Sequence, residues 1–268
     1  MQLVVLCGGL GPRCREETEF RPKPMVNVGD HPILWHIMKI YSHYGYKDYI
    51  LALGYKGDMI KNYFYHYEIM NNDVTIELGN PEKACIHQNH DEIGWRITLV
   101  NTGWNALKGA RLKKVEKYIE GNTFMVTYGD GLADVNIEKL LSFHRSHGKL
   151  ATLTGINPAS RFGEMKVKNN QVKSFSEKPN KSDGLINGGF FVFDRKIFDY
   201  LSVNDDCDLE IGAFEQVASE GQLMVYEHKG FWACMDTLRD MDYLNRLWKE
   251  NRAEWKLWAS KNDSPKCS

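Results

Sequence analysis

The sequence predicts an α/β fold in which a mostly parallel central sheet carries helices on both faces. Residues 3–6 form a short, apolar, β-branched run that leads directly into a glycine-rich loop, as a buried strand does when it ends in a tight turn. Residues 33–41 then show apolar side chains at helical spacing, and residues 49–53 are typical of a second strand. The alternation continues to about residue 155, which favours parallel strands joined by crossover helices.

The remaining elements follow from the same patterns along the chain. Further helices are predicted at residues 58–65, 107–119 and 137–144, and further strands at residues 74–78, 96–100 and 124–127. The second half is richer in strands, predicted at residues 150–156, 164–167, 172–175, 188–193 and 223–226, with short helices near residues 210–219 and 239–250. We expect a single domain over residues 1–258 and a mobile polar tail over residues 259–268.

Composition and charge limit the classes of function. The chain of 268 residues has 34 Lys and Arg against 35 Asp and Glu, so no global positive field is available to hold DNA or RNA. Its six cysteines include no Cys-x-x-Cys pair, so neither a disulfide framework nor a structural zinc site is indicated. No apolar stretch approaches the roughly 20 residues that a membrane-spanning helix needs. We therefore expect a cytoplasmic protein with no nucleic-acid partner and no membrane partner.

The strongest local signal is the segment Gly8-Gly9-Leu10-Gly11-Pro12-Arg13, followed shortly by Arg21-Pro22-Lys23-Pro24-Met25. Glycines let main-chain N–H groups approach an anion closely, and Arg13 and Lys23 can neutralise phosphate charge. The loop lacks both the Gly-Lys-Ser/Thr of a Walker A element and the G-x-G-x-x-G of a dinucleotide site. It predicts a different phosphate site, at the strand ends where open α/β sheets bind ligands. A loop whose glycines only turn the chain is the alternative.

These residues and further segments spread over nearly the whole chain resemble the sugar-1-phosphate nucleotidyltransferase family, and more closely its glucose-1-phosphate cytidylyltransferase branch. The glycine loop and Glu177-Lys178-Pro179 are features of the wider family, whereas Glu16-Glu17-Thr18 and Gly230-Phe231-Trp232 are similar to the cytidylyl branch. The other matching segments are residues 21–25, 32–39, 54–57, 128–131, 187–191 and 235–240.

The resemblance implies a Rossmann-like fold of the nucleotide-diphospho-sugar transferase type. A nucleotide-binding part would span about residues 1–155, and a smaller β-rich part that binds the sugar phosphate would span about residues 156–258. The implied reaction transfers a cytidylyl group from CTP to α-D-glucose 1-phosphate and gives CDP-glucose and pyrophosphate. Because the incoming phosphate is already anionic, no general base is needed. The resemblance further implies Mg²⁺ as cofactor, a homo-oligomer, and a place in nucleotide-sugar and polysaccharide biosynthesis.

The resemblance also assigns roles to individual residues of this chain. It makes Arg13, Lys23 and Asp130 catalytic, and it places Mg²⁺ between Asp130 and Asp236. It assigns nucleotide contacts to Leu6, Gly8, Gly9, Gly11, Pro12, Arg13, Lys23, Arg111 and Gly129, with Arg111 donating to the cytosine base. It assigns sugar-phosphate contacts to Gly163, Glu177, Lys178, Asn187 and Gly188. The plainer alternatives are that Asp130 only forms a turn, that Glu177 and Lys178 are a solvated pair, and that Arg111 faces solvent.

Three features depart from the family pattern. Pro12 stands where Thr is usual and lacks both a hydroxyl and an N–H for the triphosphate. Ala110 stands where Gly is usual, and residues 209–212 replace a more polar, acidic stretch near the expected acceptor. Two alternatives therefore stay open: transfer from CTP or another nucleoside triphosphate to a different phosphorylated small molecule, or a catalytically impaired nucleotide-binding homologue. A retaining glycosyltransferase is disfavoured, because residues 128–131 lack its Asp-x-Asp motif.

Overall fold

The computed structural model describes residues 1–9, 19–80, 83–87, 90–157, 164–168, 171–176 and 184–258. In chain order the first strands are β1 (Leu3–Cys7), β2 (Asn27–Val28), β3 (His31–Pro32), β4 (Asp48–Leu53), β5 (Asp73–Thr75), β6 (Cys85–His87), β7 (Arg96–Asn101) and β8 (Thr123–Tyr128). They are followed by β9 (Gly131–Ala133), β10 (Ala151–Ile156), β11 (Glu164–Lys168), β12 (Gln171–Ser176), β13 (Ile186–Asn187), β14 (Phe191–Asp194), β15 (Leu223–His228) and β16 (Trp232–Cys234). The α-helices are α1 (Ile33–His43), α2 (Gly57–Tyr65), α3 (Tyr67–Met70), α4 (Lys108–Val115), α5 (Ile137–His147), α6 (Glu215–Ser219) and α7 (Leu238–Lys249).

The central sheet contains a parallel half and a mixed half. In the first, β7, β4, β1 and β8 lie side by side and run parallel. In the second, β14 joins β8 antiparallel, β10 joins β14 antiparallel, and β15 pairs with β10 in parallel. The predicted α/β fold with a mostly parallel sheet is confirmed, and the antiparallel β14 makes the sheet as a whole mixed. Because Leu3 pairs with both Tyr49 and Met125, the carboxyl ends of β1, β4 and β8 lie at one edge.

The strand predicted at residues 188–193 is interrupted. β14 pairs with the first residues of β10 and β13 with its last. Between β13 and β14 the chain leaves the ladder at Gly189 and Phe190, whose φ angles are 76° and 48°. A regular strand does not contain positive φ angles, so the prediction of one continuous strand was wrong. The interruption places Asn187 beside Tyr128, the last residue of β8, with 2.9 Å between Asn187 Nδ2 and the Tyr128 hydroxyl.

Helices cover both faces of the sheet, as predicted. Side chains of β1 alternate between two separate cores. Leu3, Val5 and Cys7 pack with residues of α1, α2, α5 and α7, whereas Val4 and Leu6 pack with residues of α4 and α6. Among the described residues, no helix combines the length and the apolar character that a bilayer crossing requires.

The last described residues close the first core around a buried histidine. His36 of α1 is fully buried, and its Nε2 lies 2.8 Å from the main-chain oxygen of Val28. The indole N–H of Trp255, also fully buried, points to Nδ1 of His36 at 3.4 Å. A neutral imidazole protonated on Nε2 satisfies both contacts, because Nε2 then donates and Nδ1 accepts. Burial lowers the pKa of His36 to about 3, so the neutral form is the stable one in the fold.

Several predicted boundaries need correction. The helix predicted at residues 107–119 ends at Val115 and continues as a 3₁₀ turn over Glu116–Tyr118. The helix predicted at residues 210–219 begins as a wide turn over Leu209–Phe214, because residues within it adopt non-helical backbone angles. The strand predicted at residues 74–78 ends at Thr75. The strands β6, β9 and β16 were not predicted, because three residues each carry no recognisable periodicity. The predicted tail lies outside the described residues.

We predict that the free energy of unfolding falls as the pH drops below about 6.5, the ordinary pKa of histidine. In the unfolded chain His36 takes up a proton near that pH, whereas in the fold it stays neutral down to about pH 3, so acid favours the unfolded chain. His144, whose pKa burial lowers to about 4, contributes in the same direction. Each such histidine lowers the free energy of unfolding by at most about 1.4 kcal/mol for each pH unit.

Denaturant unfolding over this pH range measures the effect. The His36→Gln variant should be less stable at neutral pH and should show a shallower pH dependence. His43→Gln is the matched control, because His43 lies exposed at the end of the same helix. A pH dependence that is the same in His36→Gln and in the unmodified protein would contradict the prediction.

Candidate active site

A cleft of about 570 Å³ lies at the carboxyl ends of β1 and β8. Its walls come from the loop that begins at Gly8, the turn at Gly129 and Asp130, the start of α4, and the segment from β16 to Asp236. Open α/β sheets bind ligands at this edge, beyond the carboxyl ends of parallel strands. The cleft therefore lies where the glycine loop and the turn after β8 predicted a site.

Two short strands bring the second aspartate to the first. β9 follows the turn after β8 and pairs antiparallel with β16, with Gly131 opposite Cys234. The pairing continues beyond the strands, since the N–H of Met235 donates to the main-chain oxygen of Asp130 at 2.9 Å. Asp236, the next residue, is thereby held beside Asp130, although the two are far apart in the chain.

The Lys23 ammonium lies between the two carboxylates. Its Nζ is 2.7 Å from Asp130 Oδ2 and 2.6 Å from Asp236 Oδ1. Pro22 and Pro24 restrict the backbone of the 3₁₀ turn that carries Lys23. Burial alone would lower the pKa of Lys23, but the charge and hydrogen bond of Asp130 and the hydrogen bond of Asp236 raise it above its ordinary value. Lys23 therefore keeps its positive charge within the cleft.

The two aspartates and Cys234 offer a donor set for a divalent cation. One oxygen of Asp130, one oxygen of Asp236 and the Cys234 sulfur lie within 4.8 Å of one another. Carboxylate oxygens are ligands for hard cations such as Mg²⁺, whereas sulfur favours softer ions. Burial and the negative charge of Asp130 raise the pKa of the Cys234 thiol, so it stays protonated and is a poor ligand. The carboxylates thus fit a hard cation, which would share them with the Lys23 ammonium that already contacts one oxygen of each.

Arg111 is buried beneath the cleft. Its Nη1 donates to the main-chain oxygens of Leu53 and Gly103 at 3.2 and 2.7 Å and to the Thr102 hydroxyl at 2.8 Å. Its Nη2 donates to the main-chain oxygen of Gly8 at 2.9 Å. Burial lowers the pKa of Arg111, yet these oxygens solvate its charge. Arg111 reaches the cleft wall, but its terminal nitrogens hold the protein together, so its predicted contact with cytosine stays a prediction.

Gly129 is required by close packing at the floor of the cleft. A Cβ atom on this residue would lie 2.8 Å from Pro24 Cγ and 3.0 Å from the main-chain oxygen of Leu6. The turn after β8 therefore approaches both the end of β1 and the turn that carries Lys23. This approach sets the position of Asp130, the following residue.

A second polar cluster joins Tyr128, Asn187, Lys108 and Glu210. The Tyr128 hydroxyl donates to Glu210 Oε1 and accepts from Asn187 Nδ2 at 2.9 Å. Lys108 Nζ is 2.6 Å from Glu210 Oε2 and 5.5 Å from the centre of the Tyr128 ring. Tyr128, Asn187 and Lys108 line the cleft, and Glu210 supports two of them from behind.

The cleft brings together most of the predicted site residues that the structure describes. Those lining it are Leu6, Gly8, Gly9, Lys23, Arg111, Gly129, Asp130, Asn187 and Asp236. Gly188 is joined to the wall through its main-chain oxygen, which accepts from the Trp232 indole N–H at 2.9 Å. The predicted residues outside the described ranges are Gly11, Pro12, Arg13, Gly163, Glu177 and Lys178. Their contacts stay predictions.

Sequence reasoning missed Tyr128, Lys108, Trp232 and Cys234 as lining residues. Tyr128 is adjacent to the predicted glycine turn, and Lys108 lies in the same short helix as Arg111. Proximity in sequence to a predicted site residue was the available signal in each case. Trp232 and Cys234 belong to β16, a strand too short to be predicted.

Comparisons with known proteins identify the family and agree with the fold. The chain matches the family model of nucleotidyl transferases over residues 2–249. It is 46% identical over 259 residues to the glucose-1-phosphate cytidylyltransferase of Salmonella typhimurium, and the match covers 96% of this chain and 100% of that relative. The glucose-1-phosphate cytidylyltransferase of Salmonella typhi matches with the same identity and coverage. A solved UDP-glucose pyrophosphorylase complexed with UDP-glucose shares the fold, with a TM-score of 0.66 at 17% identity over 94% of this chain and 99% of that chain. The chain therefore belongs to the nucleotidyl transferase family, in the branch that contains the glucose-1-phosphate cytidylyltransferases.

Proposed function

We propose that this protein transfers a cytidylyl group from CTP to α-D-glucose 1-phosphate and releases CDP-glucose and pyrophosphate. The observation that carries the proposal is the placement of Asp130, Asp236 and Lys23 around one point of the cleft. A reaction between anionic phosphates requires charge to be neutralised, which the Lys23 ammonium, and a divalent cation held by the two carboxylates, would do. The identity to the cytidylyltransferases of Salmonella supports the choice of substrates.

The chemistry required of these residues is positioning and charge neutralisation. A phosphate oxygen of the sugar 1-phosphate forms a bond to the α-phosphorus of CTP, the bond from that phosphorus to the bridging oxygen of the β-phosphate breaks, and pyrophosphate leaves with that electron pair. Lys23 retains its charge, and the third N–H of its ammonium is available to a phosphate oxygen. A bound Mg²⁺, held by Asp130 and Asp236, would neutralise further triphosphate charge.

The proposal extends to residues beyond this group. Mg²⁺ is the proposed cation, because the carboxylate oxygens match its ligand preference. Gly11, Pro12 and Arg13 are proposed to contact the triphosphate, and Gly163, Glu177 and Lys178 the sugar phosphate. Homo-oligomeric assembly and a role in nucleotide-sugar and polysaccharide biosynthesis are carried over from the family resemblance as part of the same proposal. A cytoplasmic location, expected from the composition, is also part of it.

We predict that the purified protein, supplied with Mg²⁺ and glucose 1-phosphate, releases pyrophosphate with CTP in preference to ATP, GTP, UTP or dTTP. Asp130→Asn should lower the rate by about 10²- to 10³-fold, because it removes a charged group from the reaction centre. Asp199→Asn is the matched control, since Asp199 is exposed in the 3₁₀ turn Arg195–Tyr200 and does not line the cleft. A coupled assay measures the rate of pyrophosphate release for the unmodified protein and for both variants.

The outcomes separate the parts of the proposal. Preference for another triphosphate would overturn the choice of CTP and leave the reaction type intact. Turnover only with a different phosphorylated acceptor would overturn glucose 1-phosphate. No turnover with any combination of triphosphate and acceptor would favour the alternative suggested by Pro12, a catalytically impaired homologue that binds nucleotide.

We predict that chelation with EDTA abolishes the reaction and that added Mg²⁺ restores it. Asp236→Asn should raise the Mg²⁺ concentration for half-maximal rate by about tenfold or more, because one charged ligand becomes a neutral amide. Binding of Mn²⁺ in place of Mg²⁺, followed by electron paramagnetic resonance, measures the same loss without turnover. Unchanged Mn²⁺ binding in both Asp236→Asn and Asp130→Asn would contradict the proposed cation site.

We predict two effects of Arg111→Lys. The free energy of unfolding should fall by about 2 to 4 kcal/mol, since one ammonium cannot serve all the main-chain oxygens that the guanidinium satisfies. The preference for CTP over UTP should also fall, because the planar donor next to the base is lost. Arg145→Lys, at an exposed position of α5, is the control. Loss of stability with the CTP preference intact would restrict Arg111 to its structural role.

A further inference from the structure

The segment that departs most from the family pattern, residues 209–212, delivers one acidic side chain to the back of the cleft. The Asp208 carboxylate accepts from the N–H groups of Glu210 and Ile211 at 2.8 and 3.2 Å. Gly212 then reverses the chain with a φ of 96°, a conformation that favours glycine. Ile211 is left 74% exposed, whereas Glu210 turns toward the cleft. The wide turn thus serves to direct Glu210.

The Glu210 carboxylate contacts two residues of the cleft wall. Its Oε1 accepts from the Tyr128 hydroxyl, and its Oε2 lies 2.6 Å from Lys108 Nζ. The ion pair with Lys108 neutralises a carboxylate that would otherwise repel anionic substrates. Glu210 therefore acts on the cleft through these two neighbours, since it is not itself part of the wall.

The contact with Tyr128 fixes the direction of a whole hydrogen-bond chain. A phenol has one hydrogen, and donating it to Glu210 leaves the Tyr128 oxygen to accept from Asn187 Nδ2. Asn187 Oδ1 accepts from the Gly189 N–H at 3.0 Å, which fixes the amide at its other end. Within the described parts of the chain Asn187 Nδ2 donates to Tyr128 alone, so its second hydrogen can be offered to a ligand in the cleft.

We propose that Glu210 is a positioning residue for the sugar, acting through Tyr128 to orient Asn187 toward a hydroxyl of the sugar 1-phosphate. This inference rests on the proposed function and adds the means by which the acceptor is selected. An amide of fixed direction offers a donor at one place, so a sugar hydroxyl that accepts there is bound and an epimer that lacks it is not. We expect the nucleotide to make no contact with this hydrogen-bond chain.

The test compares kinetics of the full-length Glu210→Ala and Glu210→Gln variants with those of the unmodified protein. Glu210→Ala should raise KM for glucose 1-phosphate by about tenfold, the loss expected for one hydrogen bond between the Asn187 amide and a sugar hydroxyl. Its KM for CTP should change by less than about twofold, because the lost contact is made with the sugar and not with the nucleotide. Glu210→Gln keeps an oxygen for the Tyr128 hydroxyl and should restore most of the loss. Selectivity over galactose 1-phosphate and mannose 1-phosphate should fall in parallel with the rise in KM.

Two further variants show whether Glu210 affects sugar binding through the hydrogen bond to Tyr128. Tyr128→Phe should match Glu210→Ala, and the double variant should be no worse than either single one, because both break the same connection. Glu220→Ala is the control: Glu220 accepts from the Tyr200 hydroxyl at 2.5 Å in the same kind of contact, outside the cleft. It should leave both KM values unchanged.

Binding titrations decide the question without turnover. Glu210→Ala should weaken binding of CDP-glucose but not of CTP, and this result does not require turnover. Absence of turnover in the unmodified protein would count against the proposed function alone. Equal weakening of both ligands, additive effects in the double variant, or reduced thermal stability with unchanged KM would overturn the role of Glu210.

Discussion

The site depends first on one guanidinium buried beneath it. Arg111 is 4% exposed, and its terminal nitrogens donate to main-chain oxygens that follow β1, end β4 and follow β7. A buried charge is costly unless its donors are all used, so each of these oxygens must be in place for the fold to tolerate it. The guanidinium therefore fixes the relative positions of three strand ends. Because the cleft is built on these strand ends, its shape is fixed as well.

The same constraint accounts for two glycines. A Cβ atom on Gly8 would lie 2.2 Å from the guanidinium carbon of Arg111, and one on Gly54 would lie 2.3 Å from its Nη1. Neither position accepts a side chain unless Arg111 moves. From the sequence, the glycine loop had two interpretations, phosphate binding or a simple turn. The structure gives Gly8 a third role, because the absence of a side chain there leaves room for the Arg111 guanidinium. This structural need is compatible with phosphate binding by the same loop.

The parts that sequence could predict are those set by local patterns. β1 and α1 follow from apolar spacing, and the ends of β1 and β8 locate the cleft because parallel strands share one edge. The pairing of Asp130 with Asp236 was accessible only through resemblance, because it depends on β9 and β16, whose short ladder forms in the tertiary fold. Glu210 carried no signal of its contact with Tyr128, because that contact joins a wide turn to a distant strand end.

The hydrogen-bond chain from Glu210 to Asn187 depends on two interruptions of regular structure in the second half of the protein. Asn187 reaches Tyr128 because the chain leaves the ladder at Gly189 and Phe190, and the left-handed Phe190 costs on the order of 1 kcal/mol. Burial of its ring, stacked on Tyr41 with 5.9 Å between ring centres, and a 2.8 Å hydrogen bond from the Thr154 hydroxyl to its main-chain oxygen offset that cost. The wide turn before α6 in turn places Glu210 beside Tyr128. Both ends of the hydrogen-bond chain are thus placed by neighbouring residues whose backbone angles a regular strand or helix does not contain, Gly189 and Phe190 after Asn187 and Ile211 and Gly212 after Glu210. The geometry of the chain is therefore specific to this fold rather than to any local sequence.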